Sequence, residues 1–133
     1  MAPCEPIHLA LIEMAQALIR KRFRTHQHHV GAALRTRSGR VYSAVNLGTH
    51  VDRASVCAEP ITIGMAVAAG EVDIQAIVAV DREGLVLSPC GVCRELIAEY
   101  APECEVIVPD DTEPEVVRIR ELLPRRYHRR SPV

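Results

Sequence analysis

The stretch Cys57 to Gly70, CAEPITIGMAVAAG, decides the fold. Beyond Glu59 it carries no charged residue up to Gly70, and a helix without a solvated face has to be buried on all sides. One side needs a sheet beneath it. In a chain of only 133 residues the cover for the other side is a subunit interface.

The flanking segments supply the sheet. Upstream, VGAALRT and VYSAVNL hold β-branched and small apolar residues on either side of a glycine-containing turn, RSGR, and read as a hairpin. Downstream, IQAIVAV and LVLS are strand-like runs separated by DREG, and CGVCRELIAEY returns to helical spacing until Pro102 stops it. EVIVP and EVVRIRELL close the chain as further strands and a short helical turn. At the other end, PIHLALIEMAQALIRKRF places Leu9, Ile12, Ala15, Leu18 and Ile19 on one stripe, a first amphipathic helix. The order predicts one domain over residues 1–133, an α/β/α sandwich around a mixed sheet. Residues 1–5 and 125–133 read as loosely held or interface tails.

Sixteen basic and seventeen acidic residues nearly cancel, so no global field draws the chain to nucleic acid or to a membrane. The start, MAPCEPIH, lacks a secretory pattern, and the reading is a cytoplasmic protein. There, five cysteines are thiols or metal ligands rather than bridges.

Three of the five carry the chemistry. Cys90 and Cys93 are three apart on a predicted helix, with their sulfurs on one face. Ser88 suits the N-cap and Pro89 the first helical position, so both thiols lie where N–H groups and the helix dipole favour thiolate. Cys57 repeats the arrangement two residues after Ser55. Three thiolates leave tetrahedral zinc one open position, as a catalytic site requires. Glu59 need not be a ligand: beside such a site, a carboxylate can take a proton from water and deliver it elsewhere. Other readings exist. CGVC alone resembles a redox pair, and His28, His29 or His50 could close a structural, non-catalytic zinc module whose RRYHRR tail touches RNA. The cluster HQHH reads on its own as an exposed strand edge.

With Cys57, Glu59, Pro89, Cys90 and Cys93 in place, the chain resembles the cytidine deaminase family over roughly residues 30–127. VGAAL, Asn46, CAE, SPCGVCRELIAEY and RELLP fall in family order. The resemblance implies a five-stranded mixed sheet between helices, zinc on Cys57, Cys90 and Cys93, and Glu59 as proton shuttle. It also implies a homotetramer with shared active sites, to which Tyr127 contributes. The substrate would be a cytosine-type ring on a free nucleoside or analogue, with Asn46 on the sugar and main-chain groups around Ala58 and Ser88 on the ring.

Four positions depart from the family. Gly48 stands where a sugar-holding carboxylate is usual, His28 where an aromatic residue packs on the base, and Asp52 where a tyrosine is usual. Pro60 replaces an arginine that bonds the zinc thiolates. From Gly48 we expect loosened sugar selectivity, and improved cytidine turnover in Gly48→Glu. The missing arginine, the tail IRELLPRRY and the alanine-rich helix are also similar to blasticidin S deaminases, an alternative antibiotic-directed reading. His28, His50 and Asp52 are the candidates for contacting the group on the ring.

Overall fold

A computed structural model describes residues 2–131. Elements run β1 (Ala2–Pro3), α1 (Pro6–Arg22), β2 (Val30–Thr36), β3 (Val41–Val45), a 3-10 turn (Asp52–Ala54), α2 (Ala58–Ala68), β4 (Ile74–Asp81), β5 (Val86–Leu87), α3 (Gly91–Tyr100), β6 (Glu105–Val108), β7 (Glu115–Arg118) and α4 (Ile119–Leu122). The sheet order is β1-β7-β6-β4-β2-β3, with β5 on β4, and only the β4–β6 pair is parallel. All six strand-like runs of the sequence appear as strands, LVLS as the two-residue β5. With β1, too short to leave a period-2 signature, the sheet is seven-stranded rather than the five-stranded sheet that the resemblance implies. Ala2 pairs with Val116, so the start of the chain is tied to the sheet rather than loose. One edge is thus β1, which contains Pro3, and the other is β3.

Strand alternation sorts the core into two layers. Leu34, Ile77, Val106 and Val117 face Ile63 and Ala66 of α2 and Ile97 of α3. Their neighbours Ala33, Val78, Ile107 and Val116 face Leu11, Ile12, Ala15 and Ile19 of α1. A fully buried side chain such as Ile107 contributes about 1.5–3 kcal/mol. The α1 layer lies close: a Cβ on Gly31 would stand 2.6 Å from the Ala15 carbonyl oxygen, so only glycine fits there. At the start of α1, buried His8 accepts the Glu5 N–H at Nδ1 (3.0 Å) and donates from Nε2 to Glu105 (3.1 Å).

A third, small cluster positions the site. Ala32 and Ala79, paired across β2 and β4, are buried with Ala58 at the start of α2. Side chains this short let the helix start approach the sheet and leave room above it.

Candidate active site

Two helix starts meet there. Cys57 is the N-cap of α2 (φ −65°, ψ 160°) and Cys90 the N-cap of α3 (φ −68°, ψ 170°), while Cys93 lies within the first turn of α3. Their extended backbones turn the chain into the helix and leave first-turn N–H groups without intrahelical acceptors. Helix α3 begins later than the sequence reading had it: Cys90 caps it, not Ser88, because the Ser88 hydroxyl accepts instead from Arg94 Nη2 (3.1 Å). Cys57 Sγ is 3.7 Å from Cys90 Sγ, which is 3.5 Å from Cys93 Sγ, and all three sulfurs lie within 4.8 Å of one another. Tetrahedral zinc at the usual Zn–S length needs sulfurs roughly 3.7 Å apart. The donor set therefore fits the ion.

Electrostatics divides the three. Burial raises the Cys93 thiol far above its ordinary range, and the Glu59 carboxylate beside it adds to that. Burial also raises Cys57. At Cys90 burial pushes upward too, but the N–H groups of Cys93 and Val92 and the neighbouring thiols outweigh it, and the pKa falls. Cys90 is the thiol most ready to ionise. Glu59 is 6% exposed, and burial raises its carboxyl pKa against the opposing pull of its own backbone and of Cys93.

A cavity of about 860 Å³ opens beside the sulfurs, within the range of small-molecule sites. It is lined by Cys57, Cys90, Glu59, Ala58 and Ser88 at one end and by Asn46, Gly48, His50 and Asp52 at the other. Two predicted contacts are not on the lining. The His28 ring turns away and donates from Nδ1 to the Asn46 carbonyl (2.8 Å), and Tyr127 is 79% exposed, outside the pocket of its own chain. Sequence reasoning missed His26, Gln27 and His29, which do line the cavity. HQHH is not a strand edge but a turn between α1 and β2. Its only forewarning was the density of histidine.

Gly48 corrects a further expectation. A Cβ there would lie 2.3 Å from the His26 carbonyl oxygen and 3.2 Å from Gln27 Cα. Gly48→Glu would displace the turn rather than restore a sugar contact.

No arginine follows Glu59, but Arg94 follows Cys93 and is bound on three sides. Nε donates to the Pro89 carbonyl (2.8 Å), Nη1 to the Leu122 carbonyl (2.9 Å) and Nη2 to Ser88. It ties the loop carrying Cys90 to the end of α4. Pro60, in the first turn of α2, forfeits only an N–H that has no intrahelical partner.

Residues 6–108 match the family described as the cytidine and deoxycytidylate deaminase zinc-binding region. A blasticidin-S deaminase of Bacillus cereus is 43% identical over 129 residues, 91% of this chain and 92% of that protein. A cytidine deaminase of Halalkalibacterium halodurans is 30% identical, covering 71% and 74%. Among solved structures, cytidine deaminase from Mycobacterium leprae superposes with a TM-score of 0.78 at 30% identity, over 87% of this chain and 96% of that one. The enzyme from Burkholderia pseudomallei gives 0.76 at 31%, over 90% and 98%.

Proposed function

The chain belongs to the cytidine and deoxycytidylate deaminase family, and from that premise we propose that it hydrolyses the exocyclic amine from a cytosine-type ring carried by a free nucleoside or analogue. The observation that carries the reading is the convergence of Cys57, Cys90 and Cys93 beside Glu59, whose carboxyl pKa is raised by burial, at the end of a nucleoside-sized cavity.

In the reaction a C–O bond to water forms, the C–N bond to the amine breaks, and ammonia and a uracil-type product leave. Zinc on the three thiols would supply the Lewis acid that makes water nucleophilic at neutral pH. Glu59 takes one proton from the attacking water at its carboxyl oxygen and delivers it to the ring nitrogen, then takes a second from the added hydroxyl and delivers it to the departing amine. Its burial suits that work, because a raised pKa brings a carboxyl nearer the operating pH. Ala58 and Ser88, at the two helix starts, are our candidates for holding the ring and amine through main-chain groups. A non-catalytic zinc module would have no use for the cavity or for Glu59.

The 43% identity to the Bacillus cereus blasticidin-S deaminase over nine tenths of both chains supports the antibiotic as a second substrate reading. Five thiols, none in a disulfide among the described residues, suit a reducing compartment, and we assign the protein to the cytoplasm. No helix of the described residues is long and apolar enough to cross a membrane. The exposed Met65 and Val67 on α2 support a homotetramer, with Tyr127 reaching a neighbour's pocket.

A substrate panel tests the activity. Cytidine, deoxycytidine, 5-substituted cytidines, cytosine, blasticidin S and a guanosine-type nucleoside are incubated with zinc-loaded protein and followed by ultraviolet change and ammonia release. Turnover of a cytosine compound is expected. Release only from the guanosine-type nucleoside, or from none, would overturn the assignment.

A further inference from the structure

Two sequence features unused by this mechanism, HQHH and NLG, lie against each other. Arg24 and His28 pair across a tight turn (Arg24 N–H to His28 carbonyl 2.9 Å, His28 N–H to Arg24 carbonyl 2.8 Å). His26 at its tip has φ 66°, the left-handed region that a residue with a side chain rarely enters. Such a conformation persists only where the surroundings fix it. Here they do. Asn46 Oδ1 accepts the N–H groups of His29 (2.7 Å) and Val30 (2.9 Å), and its Nδ2 donates to His29 Nδ1 (3.2 Å). The Gly48 N–H donates to the Gln27 carbonyl at 2.8 Å. Gly48 is not among the glycines with positive φ. It is required here for space, because the His26 carbonyl occupies the place of its Cβ.

We infer that Asn46 and Gly48 are positioning residues that seat the 24–29 turn as the substrate-selecting wall of the cavity, with His26, Gln27 and His29 facing the group attached to the ring. The inference rests on the cytosine-ring reading above. Asn46 then acts through the turn, since both its side-chain oxygen and its amide nitrogen are engaged there. The wall is chemically distinctive: two imidazoles and a carboxamide, all largely exposed, take the place of a buried carboxylate. A buried hydrogen-bonding group rejects an analogue lacking its partner by orders of magnitude. A solvated wall rejects it weakly and admits bulkier or more polar substituents.

The test compares wild type, Gly48→Ala and His26→Gly, each zinc-loaded, on cytidine, 3′-deoxycytidine and a cytosine nucleoside with an enlarged sugar. Wild type should treat cytidine and 3′-deoxycytidine alike, with kcat/KM within about fivefold. Gly48→Ala pushes the turn outward and should raise KM for cytidine about tenfold, the equivalent of one lost contact of about 1.4 kcal/mol. Its kcat and zinc content should hold, and its preference should move toward the enlarged sugar. A merely structural lesion would lower zinc content and kcat instead. His26→Gly retains the turn, since glycine enters this φ freely, and removes one imidazole, so its KM alone should shift by about threefold. It decides the matter should Gly48→Ala not fold. Wild-type discrimination by orders of magnitude against 3′-deoxycytidine, or KM values unchanged in every folded variant, would overturn the wall while leaving the deaminase standing. No ammonia from any cytosine nucleoside in wild type overturns both.

Discussion

Glu59 and Arg94 differ in what their loss should remove. Glu59→Gln keeps volume and hydrogen bonding but cannot carry the proton, so turnover should fall about a thousandfold or more with zinc content unchanged. Ammonia release set beside elemental analysis checks this, and near-normal turnover would move the shuttle to another group. Arg94→Lys keeps the charge but cannot fork to two carbonyls and a hydroxyl. With two of three bonds lost, stability should drop by about 1–2 kcal/mol, and a chelator should strip zinc faster than from wild type. Unchanged stripping kinetics would reduce Arg94 to a peripheral brace. The cysteines and Glu59 were legible in the sequence because each meets its partners through spacing on a helix start. The wall was not legible. Whether His28 or His29 faces the cavity depends on the left-handed φ of His26, which shifts the phase of the residues after it, and that φ depends on a glycine twenty-two positions away.

At the scale of elements, the five long strands and three longer helices could be read from period and punctuation alone. What escaped was short: β1 forms because β7 offers it an edge, not because two residues have a preference. Helix α2 was expected to be covered everywhere. In the single chain its inner face is buried through Ile63 and Ala66, while Gly64, Met65, Val67 and Ala68 are exposed. If α2 carries the proposed interface, Met65→Glu should weaken assembly, giving a smaller species than wild type by light scattering at equal concentration, with the monomer fold intact by circular dichroism. An unchanged mass would place the interface elsewhere.

For the whole molecule, the alkaline limit of stability should trace to Cys104. Its thiol is fully buried, and burial, helped by the Glu105 carboxylate, pushes its pKa far up against the weaker pull of Arg37 and Arg118. The folded value thus exceeds the unfolded one. The associated stability is fully present below the unfolded thiol pKa of about 8.5 and is lost as pH climbs from there toward the folded value, at up to about 1.4 kcal/mol per pH unit. Urea midpoints between pH 7.5 and 10 should fall more steeply for wild type than for Cys104→Ala. Parallel lines would exclude the thiol as the cause.

The two margins of the sheet are unlike in a way that bears on how the chain survives its own synthesis. The β1 margin is two residues long and holds a proline, which has no N–H to offer an incoming strand. The β3 margin is five residues long, without proline, and begins at the exposed Val41. An open strand of that kind is a template for unwanted pairing until something covers it. Folded chains can therefore nucleate aggregates from one margin only, so the yield of refolding should fall with protein concentration once β3 pairs with a second chain faster than folding completes.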